Sequence, residues 1–107
     1  MAMCLQWFGN LVTMSWWDEL FLNEGFATLY AGYMDLKKQG ISGRICSRLE
    51  DLLDKDSAML LAPINEQVDS YEDIGAKFGT EAYTKGCTIL EMFWKSMGNQ
   101  KWSNATT

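Results

Sequence analysis

An apolar stripe runs from Trp17 through Leu20, Phe21, Ala27, Tyr30 and Ala31 to Met34 in steps of three and four residues. That period belongs to an α-helix, because a strand returns to the same face every second residue. The ends agree with it. Ser15-Trp16-Trp17-Asp18 has the S-x-x-D form of a helix start, with Asp18 placed favourably at the positive end of the dipole. Lys37-Lys38-Gln39-Gly40 supplies the cations and glycine of a carboxyl end. The stripe predicts a helix over 16–38. Gly25 interrupts it at about 1 kcal/mol relative to alanine, which points to a close packing contact.

The rest of the chain reads the same way. Residues 1–14 are apolar and nearly uncharged, with Gly9-Asn10 as a helix stop or turn. A second helix is predicted over 43–55, with Ile45, Leu49, Leu52 and Leu53 on one face. Ala62-Pro63-Ile64 reads as extended chain, since the residue before proline avoids the helical region. Ser70-Tyr71-Glu72-Asp73 caps a short helix ending near Gly79. A last helix is predicted over 80–97, with Gly98-Asn99 as its stop. No strand pair emerges, so the expectation is a mainly α chain forming a single domain over 1–107.

Composition removes several functions. Fourteen acidic residues against nine basic give a net charge of −5, which argues against binding nucleic acid through its phosphates. No stretch reaches the ~18 apolar residues of a transmembrane helix. The first basic residue is Lys37, so the amino end has no charged signal-peptide region. Cys4, Cys46 and Cys87 are scattered and odd in number, as expected for reduced, buried thiols in a cytoplasmic chain. Asn104-Ala105-Thr106 fits the glycosylation pattern but reads as part of a polar tail. Histidine is absent, which removes most zinc chemistry and every histidine-dependent triad. Five tryptophans and seven methionines in 107 residues imply a dense aromatic core or an interface. Trp16-Trp17 is assigned to core packing at the helix entry.

Glu24 is a carboxylate in a helix lined with Trp, Leu and Phe. Helix geometry alone leaves two readings: it faces solvent or caps an amide, or it is buried and holds a cation, a metal or hydrogen-bond donors. The surrounding string bears on the choice. Gln6-Trp7-Phe8-Gly9-Asn10-Leu11-Val12-Thr13, then Trp16-Trp17 and Leu22-Asn23-Glu24-Gly25-Phe26-Ala27, closely resembles the zinc-site segment of the M1 family of zinc aminopeptidases. The usual family form is H-E-x-x-H-Q-W-F-G-N-L-V-T, followed by W-W and L-N-E-G-F-A. Tyr83-Thr84-Lys85-Gly86 resembles the family's Y-x-K-G segment. Leu61-Ala62-Pro63-Ile64 resembles its S-H-P-I stretch without the histidine.

The resemblance implies a helical part of a thermolysin-like catalytic domain, and it assigns roles. Glu24 corresponds to the third zinc ligand and Tyr83 to the tyrosine that stabilises the oxyanion. In the family, two histidines four residues apart hold zinc, and the glutamate after the first activates the attacking water. Nineteen positions before Glu24 stands Leu5, where the second histidine belongs. Met1 and Ala2 stand where the first histidine and the general base belong. The G-A-M-E-N segment that grips the substrate's amino group is also missing. Cys4 with Glu24 would give two protein ligands where a stable site needs three or four.

Three readings follow. A working peptidase acting on the amino ends of peptides is disfavoured, because both zinc histidines and the base are gone. A truncated, inactive fragment that binds no zinc is preferred, since every lost position falls within the first five residues. The alternative is a pseudopeptidase module that binds a protein partner or associates with itself.

Overall fold

The computed structural model describes residues 2–39 and 44–106, with side chains described for 3–34 and 49–106. A one-turn helix α1 (Ala2–Leu5) opens the chain, and a 3₁₀ turn (Trp17–Glu19) leads into the long α2 (Leu20–Gln39). Then come α3 (Arg44–Ser57), α4 (Tyr71–Ala76), a π-turn (Glu81–Lys85), α5 (Gly86–Met97) and α6 (Asn99–Thr106). Among the described residues there is no strand, only an isolated bridge between Phe8 and Val12. The mainly α expectation stands.

Helix α2 is the axis. The π-turn and α5 lie along one flank, and α1 lies against it as well. The buried cluster that joins three helices is Leu29 on α2, Leu90 on α5 and Trp102 on α6, with Phe26, Cys87 and Trp94 packed around them. Rings extend it. Phe8 stacks on Phe26 with centroids 4.8 Å apart, and Trp94 stacks on Trp102 at 5.7 Å. Such pairs add about 0.5–1.5 kcal/mol each beyond the area they bury.

Several local expectations hold. Residues 1–14 do break at Gly9, where its N–H donates to the Val12 carbonyl at 2.7 Å and Val12 N–H donates to Trp7 at 2.8 Å. Ser70 caps α4 in a reciprocal box: its hydroxyl accepts from Asp73 N–H, and the Asp73 carboxylate accepts from Ser70 N–H. That bonding holds the exposed Asp73 carboxyl below its ordinary range. The segment 61–69 has no helix or strand.

Others are corrected. Ser15 does not cap α2 with its side chain; instead Glu19 reaches back to the Ser15 N–H at 3.3 Å. Trp16 is exposed rather than in the core, although its indole N–H donates to the Val68 carbonyl at 3.2 Å. Met34 and Leu53 also point outward, while Leu52 is buried. The helix predicted over 80–97 is two elements, a π-turn and then α5. Gly98 is not the last stop. It turns the chain at φ +80, and a further helix, α6, resumes at Asn99, taking in the segment read as a polar tail. Trp102 is the reason, since burying its indole draws the tail against α2 and α5. The glycine stop at Gly40 lies outside the described residues, as does the Ile45 side chain.

Candidate functional site

Two sequence-distant residues meet on the flank where α2 packs against the π-turn. Glu24 sits in the second turn of α2 and is 7% exposed, so the solvent-facing reading is removed. Tyr83 occupies the middle of the π-turn and is half-buried. The Tyr83 hydroxyl hydrogen-bonds the Glu24 carboxylate. The other carboxylate oxygen, Oε2, is buried with no partner, and so is Thr28 Oγ1 one turn further along α2.

The electrostatics follow from that burial. Desolvation disfavours the charged carboxylate and pushes Glu24 above its ordinary value, against the opposing pull of the Tyr83 hydrogen bond. Desolvation also raises the Tyr83 phenol. The neighbouring Glu24 charge and the hydrogen bond, which the neutral phenol donates, raise it further. The raised phenol stays protonated near neutral pH, a donor aimed at the Glu24 carboxyl group.

Asn23, beside Glu24, is also buried. Its Oδ1 accepts the Met14 N–H at 3.1 Å and ties the extended segment 12–14 onto α2. Asn23 is not legible in the apolar stripe, because a single polar residue on a helix carries no direction. Two adjacent polar residues among Leu20, Phe26 and Ala27 were the available signal. On the far side of the π-turn, Lys85 pairs with Asp56 of α3 at 2.6 Å, and Glu81 accepts the Ala62 N–H at 3.0 Å. These contacts fasten the turn that carries Tyr83.

The other expected positions contribute no charge to the pair. Leu5 is half-buried in α1, Ala2 is placed by its backbone only, and Met1 lies outside the described residues. Cys4 is half-buried, and among the described residues no three His, Cys, Asp or Glu side chains gather as a metal-holding group. The unpartnered Glu24 Oε2 is one oxygen donor, whereas a zinc site needs three or four ligands. The residues present do not fit the metal.

The family model of the peptidase family M1 domain matches residues 2–107, and the chain belongs to that family. It is 41% identical over 91 residues to a glutamyl aminopeptidase of Bitis rhinoceros, covering 81% of this chain and 10% of that protein. It is 38% identical over 99 residues to an alanine/arginine aminopeptidase of Saccharomyces cerevisiae, covering 89% and 12%. With an aminopeptidase N of Haemonchus contortus it shares 35% over 107 residues, covering 95% and 11%. The chain spans about a tenth of the length of these relatives. Among the described residues no helix is long and apolar enough to cross a membrane.

Proposed function

We propose that these 107 residues carry the third-ligand and oxyanion side of an M1 aminopeptidase site, Glu24 and Tyr83, without the residues that hold zinc. By themselves they neither bind zinc tightly nor remove amino-terminal residues from peptides. The observation that carries this reading is the donor set. Glu24 is the sole family ligand present, Leu5 and Met1 stand at the histidine positions, and Ala2 stands at the base position. Without the base no carboxylate is placed to take the proton of an attacking water. What remains is a phenol that can donate one hydrogen bond and a carboxylate already occupied in accepting it. By the family resemblance Tyr83 corresponds to the oxyanion-stabilising tyrosine; in this chain its hydroxyl is directed at Glu24.

The test is metal content and turnover on the same preparation. The chain is stripped with chelator, titrated with zinc and assayed on aminoacyl anilides. No stoichiometric binding in the submicromolar range and no hydrolysis are expected. Tight stoichiometric zinc would overturn the reading. The converse variant carries Met1→His, Ala2→Glu and Leu5→His behind a new initiator, and should gain zinc binding that Glu24→Gln removes again.

A second reading, a module that docks on a protein partner, is favoured by the surface. Trp7, Leu11, Val12 and Trp16 are each more than half exposed within ten residues of chain. Clustered exposure of large apolar groups marks interfaces. Titration of the labelled chain with a full-length M1 peptidase separates this reading from a fragment with no partner, which gives no saturable binding.

A further inference from the structure

Gly25 directly follows Glu24 on α2, and Gly86 comes three residues after Tyr83, at the start of α5. The two glycines meet where the helices cross. A Cβ on Gly25 would stand 2.9 Å from the Gly86 carbonyl carbon and 3.1 Å from both Cys87 N and Leu90 Cδ1. A Cβ on Gly86 would stand 3.1 Å from the Phe21 carbonyl oxygen and 3.3 Å from Phe21 Cβ. Most of these neighbours are backbone atoms or a Cβ, which cannot rotate aside. Gly32, on the same helix, has nothing within 4 Å of its would-be Cβ. Gly25 thus leaves no room for a Cβ and Gly86 only a tight fit, and both adjoin the pair.

The link to Tyr83 is direct. The Gly86 N–H donates to the Tyr83 and Glu81 carbonyls, so the backbone of Gly86 closes the π-turn that carries the tyrosine. We propose that the Gly25–Gly86 contact is a positioning device, setting the one separation of α2 from the π-turn at which the Tyr83 hydroxyl reaches the Glu24 carboxylate. This rests on the reading of Glu24 and Tyr83 as the retained site pair. The geometry sets the tolerance. Bringing the Gly25 Cβ to ordinary contact at 3.4 Å moves backbone by about half an ångström, and usual O–H···O distances span only about 2.5–3.0 Å, a window of the same size. On α2 the contact residue adjoins Glu24 directly, and on the turn only Thr84 and Lys85 stand between Tyr83 and Gly86, leaving little chain to absorb the shift.

The test is ¹³C NMR of the full 107-residue chain labelled on its tyrosine rings, in chelator-containing buffer. The Tyr83 signal is identified by its loss in Tyr83→Phe, and Glu24→Leu marks its position without a carboxylate partner. Gly86→Ala, the gentler of the two contacts, should move the Tyr83 signal at least half way to that mark with helix content unchanged. Gly25→Ala should move it as far or further, and Gly32→Ala should leave it in place. A Gly86→Ala signal that stays nearer the wild-type position overturns the proposal. So does loss of helix content in Gly86→Ala, because the contact would then hold the fold rather than the pair. An unchanged signal in Glu24→Leu overturns it too. Zinc binding by the chain would overturn the proposed function while leaving this measurement unaffected.

Discussion

Glu24 is a carboxylate kept out of water with one oxygen bonded to a phenol and the other without a partner. Its burial makes stability depend on pH in a stated direction. The folded-state value lies above the ordinary 4.5, so the native state holds the proton more strongly than the unfolded chain does. Stability from this group is full below about pH 4.5 and declines as pH rises through the raised value. Glu24→Gln should remove that decline and be neutral or stabilising at pH 7, as read from urea melts at several pH values. A loss above about 2 kcal/mol would instead reveal a charged donor beside the carboxylate. Asp73 runs the other way: its lowered value gives stability present above 3.8 that is lost as pH falls through the folded value. Ser70→Ala removes the cap that lowers it and should cost about 1 kcal/mol, with α4 fraying first in hydrogen exchange.

Between elements, α2 carries two glycines with opposite needs. Gly32 meets nothing, so Gly32→Ala should stabilise the helix by about 0.5–1 kcal/mol in thermal or urea unfolding. A Gly32→Ala chain less stable than wild type would show an unseen contact on that face. Helix α6 hangs on one side chain. Trp102 is buried between Phe26 and Trp94, and its indole N–H donates to the Tyr30 hydroxyl at 3.1 Å. Trp102→Ala should cost about 3–5 kcal/mol, most of the stability available to so small a domain, and release α6 from α2. Far-UV dichroism with limited proteolysis at 98–106 checks both parts. A variant that melts like wild type would mean that α6 is not held by its indole.

The whole molecule exposes more than its mass allows. Its accessible surface is 7553 Å², whereas a compact monomer of 12.2 kDa exposes roughly 6,100 Å². The radius of gyration is 14.2 Å against about 13 Å for a chain of this length. The excess is larger than the roughly 800 Å² each partner contributes to a standard interface, and Met3, Trp7, Leu11 and Val12 lie uncovered near one end of the chain. The isolated chain should therefore self-associate and bind an apolar dye, measured by sedimentation velocity and dye fluorescence across a dilution series. A dye-negative monomer with a cooperative melt would defeat this and mark an independent small domain.

The sequence by itself determined most of the helices, though not α6 or the π-turn, and it determined the family. The three- and four-residue stripe of α2, the Ser70–Asp73 box and the string from Gln6 to Ala27 are local signals, and local signals survive without knowledge of the fold. It also determined what is missing, since the absence of histidine is a matter of composition. Tertiary structure alone decided the rest. Whether Glu24 faced water or core depended on which flank of α2 the π-turn would cover, and the turn lies some sixty residues away. Gly98 reads as a stop by its own conformation; only the burial of Trp102 against Leu29 and Leu90 makes the chain wind again beyond it. Trp16 and Trp17 are equally apolar and adjacent, yet Trp17 packs near Phe78 while Trp16 is exposed, because Trp16 stands in extended backbone before the 3₁₀ turn that Trp17 opens, and consecutive side chains there point to different sides.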